Sequence, residues 1–167
     1  MGYTHYWSFN KLKGITAAEL ETKYLQALAE CNRVARHWNT EIAVKGSSLD
    51  SHRLSGFSAH TDKYGGFEIN GKGDNAHETF SLREHFSENE PSFCKTARKP
   101  YDTVVTACLA VLKYRLGDAI DVTSDGTADD WADGVILARH VLSRAIPNPM
   151  NTSDESKQFY RKLRSVK

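Results

Sequence analysis

The sequence predicts a single α+β domain, a mostly antiparallel sheet with two or three packed helices, in the order β-α-β-β-β-α-β-α. Three observations lead there. Two long segments carry apolar residues at helical spacing. Short β-like runs lie between and after them, bounded by turn residues. And 167 residues, 40% of them apolar, suffice for one core and are short for two. The expected domain covers 1–150, and a polar, basic tail covers 151–167.

Tyr3 to Phe9 is aromatic-rich and suits a strand. Tyr3, His5 and Trp7 would share one face of it, Thr4 and Tyr6 the other. Thr16 then caps a helix, and Glu19 three residues on completes a capping box. Leu20, Tyr24, Ala27, Leu28, Cys31, Val34, Ala35 and Trp38 give that helix one long apolar face, ending near His37 to Asn39. Ile42 to Val44 is a short β-like run. Ser47 to Tyr64, rich in Ser, His, Asp and Gly, reads as a long loop.

Phe67 to Asn70 and His77 to Leu82 read as two strands joined across Gly71 to Asn75. Phe67 and Ile69 would lie on one face, paired with Phe80 and Leu82. Pro100 suits the first turn of a second helix, since its missing N–H costs nothing there. That helix is apolar over most of its circumference, which marks it as the central one, and Gly117 is its expected stop. Ala119 to Val122 is a short strand. Thr127, with Asp129 and Asp130, starts a third helix that Pro147 and Pro149 end.

Net charge is +1, from 22 basic and 21 acidic residues. A protein that coats DNA or RNA normally carries a large basic excess, so no nucleic-acid polymer is expected as partner. A small phosphorylated ligand needs only a few placed cations. Cys31, Cys94 and Cys108 are odd in number and lack CxxC spacing, which argues against a disulfide framework or a zinc ribbon and for a reducing cytoplasm. No signal peptide is visible, and the most apolar stretch, Val104 to Leu112, is too short to cross a bilayer. No membrane and no cofactor are expected.

The sharpest chemical signal is Phe93 to Asp102. Lys95, Arg98 and Lys99 precede a helix start, with the Thr96 hydroxyl among them, and cations beside helix N–H groups form an anion site. The bland alternative is a solvated charge run. Tyr3, Tyr6 and Trp7 are candidate stacking partners for bases, although one aromatic face must be core. His5 and Thr79 are candidate polar contacts to base edges.

The seven histidines include no HxxxH, HExxH or Cys/His pair, so a metal site is not expected. His77-Glu-Thr79 and His85-Phe-Ser87 resemble the His-x-Thr/Ser motifs of two-histidine phosphoesterases. Those enzymes draw the two motifs from separate halves of their fold, and here both lie in one short segment. Asp118 to Asp133 holds six aspartates without EF-hand spacing. Turn formation and helix-dipole complementation account for them, with hydrogen bonding to a base or ribose as the functional alternative.

The opening Gly2-Tyr-Thr-His-Tyr-Trp7, then Phe93-Cys-Lys-Thr96 with Arg98-Lys-Pro-Tyr-Asp102, then Ser124-Asp-Gly126 before Asp130-Trp131 together resemble a widespread group of small phage-encoded proteins. That group is similar to viral anti-CBASS sponges, which sequester cyclic dinucleotide immune signals. The resemblance runs from the N-terminus to about Trp131. It implies a non-enzymatic homo-oligomer, such as a tetramer, acting in the cytoplasm of the infected bacterial host. The site residues above come from the chemistry and not from the resemblance. Two other classes stay open: a metal-independent phosphodiesterase using His77, and a host-protein inhibitor using the Ser47 to Tyr64 loop.

Overall fold

The computed structural model describes residues 2–40, 57–61, 66–88, 90–151 and 158–159. The fold is α+β, as the sequence predicts, with all strands paired antiparallel. In chain order the elements are β1 (Thr4–Phe9), α1 (Ala17–Thr40), β2 (Phe57–Thr61), β3 (Phe67–Gly71), β4 (Phe80–Leu82), β5 (Ser92–Lys95), α2 (Asp102–Leu116), β6 (Ile120–Ser124) and α3 (Ala132–Leu142).

The strands form two three-stranded sheets, β5-β1-β6 and β2-β3-β4, rather than one. Two strands account for the difference. β2 lies inside the segment read as a loop. The rest of that segment, and the run Ile42 to Val44, fall outside the described residues. β5 has only four residues, too few for alternation to show in the sequence, yet it pairs along β1 from Thr4↔Lys95 to Trp7↔Ser92.

The hairpin of β3 and β4 has the expected partners, Phe67↔Leu82 and Ile69↔Phe80, and all four side chains are buried. β4 starts three residues later than the sequence suggested. The Asn70 carboxamide intervenes: its oxygen accepts the His77 N–H at 3.0 Å, and its nitrogen donates to the His77 carbonyl at 3.0 Å. These side-chain bonds replace the ladder there.

Helix α1 begins with the capping box. Glu19 N–H donates to Thr16 Oγ1 at 3.2 Å, and Thr16 N–H donates to Glu19 Oε2 at 2.8 Å. α2 is buried over ten consecutive residues, Thr103 to Leu112, because α1 and α3 pack on either side of it and β6 lies against it. Its stop is Gly117, at φ 57°. α3 starts later than expected and ends earlier. A turn joins Thr127 to it, and Ser143 in the left-handed region closes it four residues before Pro147. Gly134 sets the α2–α3 distance, since a Cβ there would sit 2.1 Å from Thr106 Oγ1 and 2.8 Å from the Thr103 carbonyl oxygen.

One contiguous core joins both sheets to the helices, with Trp7 of the first sheet against Phe80 of the second at 5.0 Å between ring centroids. At its polar edge Glu30 is buried and takes hydrogen bonds from Arg115 and Arg144, which ties α1 to α2 and to the segment after α3. Those guanidiniums hold its carboxyl below the ordinary range, against the opposing pull of burial. No helix among the described residues is long and apolar enough to cross a membrane. Of the tail, only Asn151, Gln158 and Phe159 are described.

Candidate functional site

Strand alternation decides where the candidate residues go. Tyr3, His5 and Trp7 face inward and are buried, as does Thr96 two residues after buried Cys94. Tyr6 and Lys95 face outward from the sheet. The register sets Tyr6 directly opposite Phe93.

Inward, His5 is the centre of a buried polar chain. Its Nε2 lies 2.6 Å from Asp102 Oδ1 and its Nδ1 2.9 Å from Ser124 Oγ. The Thr96 hydroxyl donates to the same Asp102 oxygen at 2.6 Å. Ser124 Oγ accepts the Gly126 N–H at 2.9 Å and the Trp131 Nε1–H at 3.2 Å. A hydroxyl has two lone pairs and one proton. With both lone pairs taken, Ser124 must donate its proton to His5 Nδ1, and His5 donates Nε2–H to Asp102.

Connectivity alone would make this a Ser-His-Asp arrangement. Its serine oxygen has no free lone pair and its histidine has no accessible surface, so the arrangement lacks what nucleophilic attack requires. It ties β1, β6 and the start of α2 together instead. His5 and Thr96, expected to touch a ligand, belong to this chain because their strand positions point inward. Trp7 is likewise committed to the core.

At the surface end of the chain lies Tyr3. Its ring meets the edge of His5 at 5.0 Å, and its hydroxyl is buried without a hydrogen-bond partner among the described residues. Burial, and after it the Asp102 and Asp130 carboxylates, push its phenol above the ordinary value. Gly126 covers the hydroxyl so closely that a Cβ there would sit 2.3 Å from it.

The Arg98 guanidinium lies 4.0 Å above the Tyr3 ring and donates from Nη1 to Asp130 Oδ1 at 2.6 Å. Asp130 is held down to about 2, first by Arg98 and then by the Thr127 N–H. The Arg98 side chain remains 59% exposed. Ala97 and Arg98 both adopt left-handed backbone, φ 51° and 57°, so the chain makes a tight turn before α2.

Gly2, Tyr3, Ala97, Arg98 and Asp125 line a cleft of about 390 Å³. Lys95 borders it, with its Cε 2.9 Å from where a Gly2 Cβ would stand. Asp125 closes the opposite rim, and its Oδ2 accepts the Thr4 N–H at 3.0 Å. The other candidates are elsewhere. Lys99 donates to the Asp74 carbonyl oxygen at 2.8 Å, tying the turn to the hairpin. Thr79 accepts from Asn70 on that hairpin, and Tyr6 is not among the lining residues.

His77 and His85 have separate partners, and the His77 N–H and carbonyl bond to the Asn70 carboxamide. His85 is bound to Glu21 at 2.8 Å on an exposed surface, and Glu21 raises its basicity. Among the described residues no group of three or more His, Cys, Asp or Glu could hold a metal ion.

Sequence reasoning singled out Ser124, Asp125, Asp130 and Trp131 but did not place them beside His5 and Arg98, and it missed Glu78. Glu78 fastens β5 to the second sheet: its Oε2 accepts the Lys95 N–H at 2.7 Å and its carbonyl oxygen accepts the Tyr101 hydroxyl at 2.6 Å. The aspartates stood in the acidic stretch, but nothing local in that stretch indicates that Arg98, 32 residues earlier, turns toward Asp130. The chain matches no family model, and no curated protein or solved structure is similar to it.

Proposed function

We propose that this chain is a phage immune-evasion protein that binds and sequesters a cyclic nucleotide signal in the cytoplasm of the infected bacterium, without cleaving it. The observation that carries the reading is the Arg98 guanidinium at the mouth of the cleft. Tyr3 beneath it and Asp130 beside it hold it flat, and only Nη1 is engaged among the described residues. A guanidinium fixed in this way offers its remaining N–H groups to a phosphate with little ordering cost. Lys95 adds a second cation on the adjoining rim.

Two features support binding over turnover. In the Ser124–His5–Asp102 chain the histidine is fully buried and the serine oxygen is saturated, and His77 on the hairpin is not among the residues lining the cleft. The cleft volume of about 390 Å³ is near the lower end of small-molecule sites. A cyclic dinucleotide would overfill it, so a second chain would complete the enclosure, and the functional form is a homo-oligomer such as a tetramer.

The test is incubation of the protein with signal nucleotides, removal of unbound ligand, heat denaturation and chromatography of what is released. Intact nucleotide is the expected result. A cleaved product would make the protein a phosphodiesterase. Retention of no nucleotide at all would overturn the reading and favour a host-protein target.

A further inference from the structure

We infer that the outer face of the β5-β1-β6 sheet joins two copies of this chain about a two-fold axis running along β1. The inference gives a surface to the self-association proposed above, and it stands whether or not the ligand is a nucleotide.

Tyr6 and Phe93 are 43% and 63% exposed and face each other across adjacent strands. They form one contiguous aromatic patch. The other exposed large apolar side chains of the described residues, Leu25 and Ile136, stand apart on α1 and α3. Isolated apolar residues on a surface need no explanation, but a paired aromatic patch on the outer face of a sheet does, and it is exposed here although Thr4 beside it is buried.

The charges around the patch select its occupant. At the level of Thr4 the outer face carries Lys95 on β5, and on the other side Asp125, whose N–H donates to the Thr4 carbonyl oxygen at 3.0 Å. At the level of Tyr6 it carries Phe93 and Thr123. At the level of Ser8 it carries Asp121. One edge is therefore basic and the other acidic.

A two-fold axis along the middle strand sets each β5 over the other copy's β6 at the same level. Lys95 then meets Asp125 twice, Phe93 meets Thr123, and Tyr6 meets Tyr6 on the axis. An axis across the strands would set Asp125 against Asp121 instead. Asp121 on β6 and Asp125 just after it also disfavour a polyphosphate or nucleic acid lying across this face. Because Asp125 also forms the rim of the cleft, the favoured pairing brings Lys95 of one copy to the cleft of the other.

The experiment uses the full chain without nucleotide. Sedimentation equilibrium at micromolar concentration should give a dimer or a multiple of two. Phe93→Ser should raise the dissociation constant at least roughly tenfold, as loss of a central aromatic anchor does. Lys95→Asp should also weaken association, since it sets like charges opposite each other. Tyr6→Cys should be joined to itself by a short bis-maleimide, because Tyr6 lies on the axis and facing sheets are about 10 Å apart. Thr123→Cys, off the axis, should not. The native cysteines are all buried and do not compete.

A monomeric wild type, an unchanged mass for Phe93→Ser, or no cross-link through Tyr6→Cys would each overturn the inference. Loss of nucleotide binding by Phe93→Ser with unchanged mass would show that a base occupies the face, and would overturn it too. A dimer without nucleotide affinity would sustain the inference while removing the proposed function.

Discussion

Replacing Ser124 with Ala removes one oxygen that serves three partners. Trp131 and His5 are fully buried, so the indole N–H and His5 Nδ1 would be left without partners and without water. Each unsatisfied buried group costs about 1–3 kcal/mol. The Gly126 N–H, nearer the surface, adds less. The expected loss is about 2–4 kcal/mol, a sizeable share of the roughly 5–15 kcal/mol that holds a domain folded. With a urea slope of about 2 kcal/mol per molar, the unfolding midpoint should fall by roughly 1–2 M. Ser124→Thr keeps the oxygen in a strand that tolerates β-branching, and it should cost less than Ala. The assay is urea unfolding followed by circular dichroism, repeated in a Trp131→Phe background. There the indole donor is already gone, so Ser124→Ala should cost about 1 kcal/mol less than in the wild type. A Ser124→Ala loss below about 0.5 kcal/mol, or strict additivity with Trp131→Phe, would refute the buried chain as described.

Four further outcomes are expected. Arg98→Ala should weaken nucleotide affinity by roughly tenfold to a hundredfold in calorimetry, and Arg98→Gly should do the same while relieving the left-handed backbone; wild-type affinity for either would move the anion site elsewhere. Glu30 titrates below its unfolded value of about 4.3, so its contribution is complete at neutral pH and lost as pH falls through the folded pKa; Glu30→Gln should be less stable at pH 7, with the gap closing in thermal melts as pH falls below the unfolded value. Gly134→Ala should destabilise by about 1–3 kcal/mol in urea, because its methyl group would collide with α2 backbone as well as with Thr106. No cysteine should react with a thiol reagent at pH 8 before unfolding, since all three are buried and burial pushes the Cys94 thiol up to about 12.

What the sequence made legible was periodic or local. The Thr16–Glu19 box, the Gly117 stop, the alternation along Tyr3 to Phe9 and the Phe67–Leu82 hairpin each follow from residues within a few positions of one another. The missed features join distant residues. β5 is four residues long and exists because β1 and Glu78 pair with it. Arg98 was read as an exposed cation before a helix, and its orientation is set by Tyr3 and Asp130, far away in sequence. His5 and Thr96 looked available because polar side chains in a strand usually face water, and here Asp102 and Ser124 satisfy them inside. Phe93 stood in the motif but was not marked as surface, since without β5 it had no face to be assigned to.

The first strand of the chain is the middle strand of its sheet, and that ordering constrains how the molecule is made. Both neighbours of β1 come from the far half of the sequence: His5 pairs with Cys94 of β5, 89 positions on, and with Ser124 of β6, 119 positions on. During synthesis β1 leaves the ribosome with both edges unpaired and waits while most of the chain is translated. Loops of that length close slowly, so sheet completion is expected to be a late event in folding, after α1 and the local hairpin have formed. Until Ser124 arrives, the aromatic run at the start of the chain is open to mispairing, and slower elongation or a weakened α2 should show itself first as aggregation of nascent chains rather than as a less stable finished protein.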